Sequence, residues 1–335
     1  MRRPPDPTRS AASPSDERAD AGAGLSHVPR VAVLAPNPLL AVTLEREGDV
    51  RERTHFHPAG QGVWVARMLG CLGAAPVLCG FAGGESGDLL QSLLSKLPGE
   101  QRLVSTASAS GCYVTDRRTG ERHVVSSVLT DPPSRHELDD LMSLTCVEAI
   151  SDGWLVVTNP LPVDALPLEC YGDLVADARA GGCRTLVDLS APRLDSALRG
   201  EPDLVKLNDW ELAEYIAGPV SEQSQLLAGA QRLRERGAGR VIVTRGERPA
   251  LVLTPEQAWM LTPPSLAQGF REGCGDAMMG ALAASWAQGD SFERALKVGA
   301  GAGAANFLRR GLGSASRDVV EQMAARVELE PLRAG

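Results

Sequence analysis

The 335-residue sequence lacks long apolar segments and lacks an excess of basic charge. No run approaches the roughly 20 apolar residues that a membrane-spanning helix needs, so a membrane protein is not predicted. The net charge of -8 argues against nucleic acid or an anionic membrane as the main partner. A hydrophobic content of 43% and a charged content of 23% are instead ordinary for a soluble globular protein. The length suits one large α/β domain or two smaller ones.

The sequence also lacks paired cysteine motifs. Its cysteines are odd in number, scattered and free of C-x-x-C spacing, which predicts reduced thiols in a cytoplasmic protein with neither a zinc site nor a disulfide framework. The seven are Cys71, Cys79, Cys112, Cys146, Cys170, Cys183 and Cys274.

The two ends of the chain differ in composition from its centre. Residues 1–28 are rich in Pro, Ser, Ala, Asp and Arg and contain no apolar stretch of the kind found in a secretory signal. We expect a disordered tail over 1–28, a single domain over 29–320, and a C-terminal tail over 321–335.

Short apolar runs alternate with helical patterns through the central region. The runs are partly β-branched, as buried parallel strands are, and they lie at 31–34, 154–157, 185–188, 204–206 and 241–244. Apolar residues at helical spacing occupy 167–180 and 221–236. The alternation predicts an α/β fold with a doubly wound, mostly parallel sheet flanked by helices, with its ligand at the carboxyl ends of the strands.

Two polar, alternating stretches interrupt this rhythm. Residues 42–57 contain two extended segments around a turn at 47–49, and 111–129 contain a hairpin with its turn near 118–121. Each can bury only one face, so we expect a small β-sheet that covers the main domain as a lid. The closing region, 275–309, predicts two helices rich in Ala and Gly that pack closely.

The most informative motif is Gly273-Cys274-Gly275-Asp276, which an apolar helical segment follows directly. Glycines allow backbone amides to converge on one point, and a helix N-terminus adds a positive dipole, so the point suits a phosphate. Asp276 is placed to take a proton from an attacking hydroxyl. The motif predicts a phosphoryl-transfer site, although G-x-G-D alone also fits an ordinary helix start with Asp in its first turn.

Four further stretches accompany this motif. They are 58–67 (PAGQGVWVAR), 80–87 (GFAGGESG), 205–212 (VKLNDWEL, with an N-x-x-E spacing) and 244–246 (TRG). In this order and at these separations, the set resembles the PfkB branch of the ribokinase-like sugar kinases. It is most similar to the 1-phosphofructokinase and tagatose-6-phosphate kinase subgroup, over roughly residues 30–315.

The resemblance implies roles for the nucleotide side of the site. Asp276 would be the catalytic base, and the amides of Gly273, Cys274 and Gly275 would form the anion hole for the γ-phosphoryl group of ATP. Asn208 and Glu211 would help to hold Mg²⁺ through water. Further nucleotide-binding positions are Thr244, Arg245, Gly246 and, on the adenine side, 299–306 with Asn306.

Simpler interpretations accompany these roles. Asn208 and Glu211 could only cap a helix, Thr244 could be a strand-end residue, and Arg245 could be a solvated charge. His55 and His57, two apart on one strand face, could bind a metal or be ordinary strand residues.

The acceptor side departs from the family pattern. The resemblance places Asn37, Ala41, Gly60, Gln61, Gly62, Trp64 and Tyr113 at the acceptor. The family's sugar-binding Asp is replaced by Ala41, its Lys by Gln61, and its Asn by Trp64. On the lid hairpin its phosphate-binding Arg is replaced by Gly111, and an Asn by Tyr113.

These losses shape the functional prediction. We expect an ATP- and Mg²⁺-dependent kinase acting on an alcohol of a small carbohydrate-like acceptor other than a standard sugar phosphate, because charge-assisted bonds to a phosphate would be lost. The alternatives are a non-catalytic nucleotide-binding protein, in which Trp64 fills the pocket, and a true sugar-phosphate kinase using other cations such as Arg67 or Arg117. Lids in this family often pair between subunits, so a homodimer through the lid is possible.

Overall fold

A computed structural model of the protein describes residues 28–48, 51–121, 123–162, 164–309 and 311–332. The strands in this part of the chain are β1 (Arg30–Leu34), β2 (Leu39–Glu47), β3 (Arg51–Ala59), β4 (Ala75–Ala82), β5 (Glu100–Ser105), β6 (Cys112–Asp116), β7 (His123–Val128), β8 (Trp154–Thr158), β9 (Arg184–Asp188), β10 (Leu204–Asn208), β11 (Val241–Arg245), β12 (Arg248–Leu253), β13 (Ala258–Thr262) and β14 (Glu328–Pro331). The helices are α1 (Gln61–Cys71), α2 (Gly84–Leu94), α3 (Arg135–Asp152), α4 (Glu169–Ala180), α5 (Arg193–Arg199), α6 (Asp209–Ile216), α7 (Gln223–Glu235), α8 (Cys274–Ala287), α9 (Phe292–Phe307) and α10 (Arg317–Ala324).

The main sheet has ten strands in the order β14-β13-β12-β11-β10-β9-β8-β1-β4-β5. The seven strands from β11 to β5 run parallel, and β12 to β14 add an antiparallel edge. Helices cover both faces, and each face has its own apolar core. The predicted doubly wound, mostly parallel α/β sheet is confirmed.

The two small-residue helices α8 and α9 pack closely, as their composition predicts. A Cβ atom added at Gly299 of α9 would come within 3.0 Å of the Met278 carbonyl oxygen on α8. On the other side of α8, a Cβ at Gly280 would come within 2.5 Å of the Val65 carbonyl oxygen on α1. Three helices therefore meet backbone to backbone, and this contact holds the start of α8 at the carboxyl edge of the sheet.

The second sheet has four strands in the order β3-β2-β6-β7. Compared with the predicted 42–57 segment, β2 begins earlier, at Leu39, and β3 ends later, at Ala59. Ala41 on β2 lies opposite His57 on β3 and opposite Tyr113 on β6. Leu39, Ala41 and Ala59 form a small apolar cluster with Tyr113 and with Trp64 of α1. One face of this lid sheet therefore packs against the first helix of the main domain.

The ends of the chain differ from one another. The predicted N-terminal tail lies outside the described residues, apart from Val28. At the C-terminus, residues 321–332 are not a tail. They include the end of α10 and strand β14, which pairs with β13. The sequence prediction was wrong here because a four-residue edge strand leaves too little apolar pattern to recognise. Within the described residues no helix has the length and apolarity to cross a membrane.

Candidate active site

The G-C-G-D motif forms the N-terminus of α8. Gly273 is the N-cap residue with φ of 74°, a left-handed conformation that favours glycine, and Cys274, Gly275 and Asp276 are the first helical residues. Amides in a first helical turn have no carbonyl partner within the helix. Apart from a 3.4 Å contact between the Cys274 amide and the Arg271 carbonyl, these donors are available to an anion.

Asp276 is buried at this helix start, with 9% of its surface exposed. Burial raises the pKa of its carboxyl group to about 7, and the negative charge of Asp188 adds to the rise. The Lys206 charge and a hydrogen bond from the Gln61 side chain act in the opposite direction. Asp276 is thus a carboxylate poised to exchange a proton near neutral pH, as a general base requires.

A buried ion pair lies beside Asp276. Lys206 Nζ is 2.6 Å from Asp188 Oδ2, and both side chains are about 95% buried. A Cβ atom at position 275 would come within 3.3 Å of Lys206 Nζ, so glycine at 275 leaves room for the ammonium group next to the anion hole. Sequence reasoning missed this pair. The only sign of it in the sequence was that two successive apolar runs, 185–188 and 204–206, each end in a charged residue.

A cleft of about 360 Å³ opens in front of the α8 start. Cys274, Gly275 and Asp276 line it, together with the predicted nucleotide-binding residues Asn208, Glu211, Thr244, Arg245 and Gly246. Pro263, Leu266, Ala304 and Phe307 supply an apolar wall that suits a base. The Arg245 Nε is buried and has no hydrogen-bond partner within the described residues. The structure thus brings most of the predicted nucleotide side together.

Asn208 and Glu211 both cap a helix and line the cleft. They form a capping box at the start of α6: Glu211 N–H donates to Asn208 Oδ1 at 2.9 Å, and Asn208 N–H donates to Glu211 Oε2 at 2.8 Å. Both also line the cleft, and burial raises the pKa of Glu211. The capping interpretation therefore holds, and it fixes one carboxylate oxygen while Oε1 remains available to a hydrated cation.

Asn306 differs from its predicted role at the nucleotide. It is fully buried. Its Nδ2 donates to the Glu272 carbonyl at 2.9 Å, and its Oδ1 accepts from Gly313 N–H at 2.8 Å. It is not among the residues that line the cleft, and its bond to Glu272 supports the backbone just before Gly273.

The predicted acceptor residues form a second, smaller cavity of about 20 Å³. Asn37, Gly60, Gln61 and Gly62 line it, and Gln61 also lines the larger cleft. Asn159 N–H donates to Gln61 Oε1 at 2.8 Å. This bond turns the amide nitrogen of Gln61 towards Asp276. Asn37 Oδ1 is buried without a partner in the described part of the chain.

The remaining acceptor positions lie under the lid. Ala41 is completely buried, and Trp64 and Tyr113 are partly buried in the same apolar cluster. Gly111 packs so that a Cβ atom would come within 2.6 Å of the Leu39 side chain. A longer side chain at position 111 would fit only if the Leu39 side chain moved.

The two lid histidines belong to no metal-binding cluster among the described residues. His55 lies 3.6 Å from Glu45, and the described residues contain no group of three or more His, Cys, Asp or Glu side chains that could hold a metal ion. Burial lowers the pKa of His57, and the nearby charges of Arg67, His55 and Arg117 lower it further.

Comparison with known proteins agrees with this arrangement. The profile described as pfkB family carbohydrate kinase matches residues 35–318. The ATP-dependent 6-phosphofructokinase isozyme 2 of Escherichia coli is 30% identical over 279 residues, covering 81% of this chain and 88% of the relative. The 1-phosphofructokinase of the same species is 27% identical over 310 residues, covering 90% and 98%.

A solved structure supports the same relationship. Phosphofructokinase-2 from Escherichia coli in complex with fructose-6-phosphate superposes with a TM-score of 0.76 at 26% identity, covering 89% of this chain and 99% of that chain. The family profile, the relatives and the fold agree, and the chain belongs to the pfkB family of carbohydrate kinases.

Proposed function

We propose that the protein transfers the γ-phosphoryl group of ATP to an alcohol of a carbohydrate-like acceptor other than the standard fructose phosphates. Membership of a carbohydrate kinase family implies ATP as donor. The observation that carries the proposal is the position of Asp276, which is buried at a helix N-terminus on the nucleotide cleft and hydrogen-bonded to Gln61. Gln61 lines both cavities and therefore marks where they meet.

The chain supplies each group that the transfer needs. Asp276 takes the proton of the acceptor hydroxyl while the hydroxyl oxygen forms a bond to the γ-phosphorus of ATP. The bond between the γ-phosphorus and the β–γ bridging oxygen breaks at the same time, and ADP is released. The amides of the α8 start and the Lys206 ammonium group balance the charge of the transferred group. When bound, Mg²⁺ neutralises the nucleotide phosphates, and Glu211 Oε1 would hold it through water.

The chemistry of the acceptor side supports the narrower part of the proposal. Position 41 has no carboxylate, and neither Gln61 nor Gly111 supplies a cation. Trp64 and Tyr113 instead offer aromatic surface, which packs against the apolar face of a sugar or cyclitol ring. These differences favour an acceptor that is bound mainly through contacts with its ring. Such contacts would contribute more to binding here than they do in the phosphofructokinases.

A screen of alcohol acceptors with ATP and Mg²⁺, read by ADP release, tests the proposal. We expect turnover of carbohydrates or cyclitols, with fructose 1-phosphate and fructose 6-phosphate as poor substrates. Asp276→Asn should lower kcat by roughly 10²- to 10⁴-fold while leaving ATP affinity nearly unchanged. Asp290→Asn, at the opposite end of α8, is the matched control and should keep full activity.

Two results would contradict the proposal in different ways. Efficient turnover of a fructose phosphate would identify a true sugar-phosphate kinase and remove the specificity argument. ATP binding without turnover of any acceptor would identify a non-catalytic nucleotide-binding protein.

We also propose that two copies pair through the lid, in a cytoplasmic enzyme. The edge strands of the lid sheet expose Phe56, Val125 and Val128, each at least half accessible. A relative of known structure is described as the tetrameric inhibited form of phosphofructokinase-2 from Escherichia coli. Light scattering should give a dimer, and a Phe56→Asp, Val125→Asp variant should be monomeric; an unchanged mass would exclude this surface.

A further inference from the structure

We propose that the phosphates of ATP displace the carboxylate of Glu247 from the guanidinium group of Arg271. Arg271 then binds the β- and γ-phosphates, and Glu247 acts as an internal competitor that weakens nucleotide binding. The inference rests on the proposed use of ATP, and it assigns a role to two cleft residues that the transfer mechanism does not use.

An exposed ion pair joins two elements of the nucleotide cleft. Arg271 Nη2 lies 3.1 Å from Glu247 Oε1, and both residues line the cleft. Glu247 belongs to the turn between β11 and β12, whereas Arg271 belongs to the segment between β13 and α8. The two side chains are 82% and 65% exposed, for Arg271 and Glu247 respectively. A molecule that enters the cleft can therefore reach both charges.

The buried ion pair of the same cleft shows the contrast. Lys206 and Asp188 are about 95% buried, and separation of a buried pair leaves a charge without solvent or partner. An exposed pair changes an equilibrium constant by roughly fivefold at most, because water and salt screen both charges. The pair of Arg271 and Glu247 can therefore open when a ligand offers a better anion, whereas the buried pair is a lasting part of the fold.

The backbone on both sides of Arg271 is anchored to α9. Phe270 N–H donates to the Phe307 carbonyl at 2.7 Å. The Glu272 carbonyl accepts from Asn306 Nδ2 at 2.9 Å. Because the backbone is held at both neighbours while the side chain is exposed, an exchange of partners requires movement of the Arg271 side chain only.

The Arg271 side chain starts beside the anion hole. Its own carbonyl accepts from the Cys274 amide at 3.4 Å, so Arg271 lies one turn before the amides that face the transferred phosphate. From this position the side chain extends to the turn after β11, where Gly246 also lines the cleft. Phosphates bound between the anion hole and that turn would lie within its reach. A phosphate pairs with the guanidinium N–H donors as a carboxylate does, and it carries more charge.

Arg245 and Arg248, which also line the cleft, have partners outside it. Arg245 Nη2 donates to the Ser221 carbonyl at 3.4 Å, and Arg248 pairs with Asp209. Neither Ser221 nor Asp209 is among the residues that line the cleft. Arg271 differs because its partner faces the same cleft, where an incoming phosphate competes for the same donors.

Calorimetry with ADP and a non-hydrolysable ATP analogue, each with Mg²⁺, provides the first test. Arg271→Gln should raise the Kd for both nucleotides roughly tenfold or more, as loss of a charge-assisted hydrogen bond would. The Kd for adenosine, measured by competition, should stay within about twofold because adenosine has no phosphate. Unchanged nucleotide affinity, or an equal loss of adenosine affinity, overturns the inference.

Variants of Glu247 provide the second test, because exchange predicts an effect of opposite sign. Glu247→Gln removes the competitor and should lower the Kd for both nucleotides by roughly two- to fivefold. Glu247→Asp keeps the charge but draws it back from Arg271, so it should also lower the Kd. If both variants raise the Kd as Arg271→Gln does, the ion pair only shapes the cleft and the exchange is overturned. If only Glu247→Gln lowers the Kd, general repulsion of the phosphates explains the result, and the exchange is again overturned.

An exposed ion pair on α3 supplies the matched controls. Arg135 Nε lies 3.4 Å from Asp139 Oδ2, their side chains are 86% and 58% exposed, and neither residue lines the cleft. Arg135→Gln and Asp139→Asn should leave the Kd for both nucleotides unchanged. Melting temperatures like that of the wild type show that each variant is folded.

These binding measurements need no acceptor, so they separate this inference from the proposed function. If the variants of Arg271 and Glu247 shift the Kd in opposite directions while no acceptor is phosphorylated, the kinase proposal fails and the exchange stands. If acceptors are phosphorylated and Arg271→Gln binds both nucleotides like the wild type, the exchange fails and the kinase proposal stands.

Discussion

The two halves of this site are built differently. On the phosphoryl-transfer side, Asp276, Lys206 and Asp188 are buried and their charges face one another at the carboxyl edge of a ten-stranded sheet. On the acceptor side, a four-stranded lid sheet packs on α1 through a small apolar cluster that includes Trp64 and Tyr113. The first half is thus built around buried charges that interact with one another, and the second around apolar and aromatic contacts. We therefore expect the first half to govern the chemical step and the second half to govern the choice of acceptor.

Removal of Lys206, on the phosphoryl-transfer side, should have the largest effect on turnover. Lys206→Met removes the cation beside the anion hole, so kcat should fall by roughly 10²- to 10³-fold, as for loss of one transition-state donor. It also leaves Asp188 buried without its partner, which should lower the melting temperature. The double variant Lys206→Met, Asp188→Asn should recover stability but not turnover. Recovery of turnover as well would show that Lys206 acts only through folding.

The pH dependence of kcat should show the second-largest effect. Because the deprotonated carboxylate of Asp276 is the active form and its pKa is about 7, kcat should rise about tenfold per pH unit below 7 and level off above it. Gln61→Ala removes a hydrogen bond that lowers this pKa, so the midpoint should move to higher pH. A pH-independent kcat between 5 and 8 would contradict Asp276 as the base.

Acceptor choice should respond to changes in the second half alone. Trp64→Asn replaces the aromatic surface with an amide and should change the kcat/KM ratio between acceptors by roughly tenfold, since one lost or gained polar partner is worth that much. The KM for ATP should stay the same, because Trp64 does not line the nucleotide cleft. A large rise in the KM for ATP would show that the two halves are coupled.

Stability should show the smallest effect, and its sign follows from the raised pKa of Asp276. The folded state holds this proton more tightly than the unfolded chain, so stability is lost as pH rises from about 4 to about 7. Asp276→Asn avoids the buried charge and should raise the melting temperature by a few degrees at pH 8, with little difference near pH 4. A lower melting temperature of this variant at pH 8 would contradict the burial argument.

Most of the fold and of the nucleotide side could be predicted from the sequence, because their signals are local. Strand-sized apolar runs, the capping spacing of Asn208 and Glu211, and the glycines before Asp276 each depend on residues within one turn or strand. The C-terminal strand β14 could not be predicted, since its four residues become a strand only by pairing with β13. The supporting role of Asn306 was likewise hidden, because its partners Glu272 and Gly313 come from separate loops.

From the sequence alone we predicted a phosphoryl-transfer site at residues 273–276 and an acceptor side that differs from the family pattern. The further side chains at this candidate site are brought together by the tertiary structure. Lys206 and Asp188 are 18 residues apart, and Gln61 and Asn159 are 98 apart. Helix starts and turns are made by neighbours in the chain, whereas a buried ion pair or a long-range side-chain hydrogen bond is made by folding, which brings distant residues together.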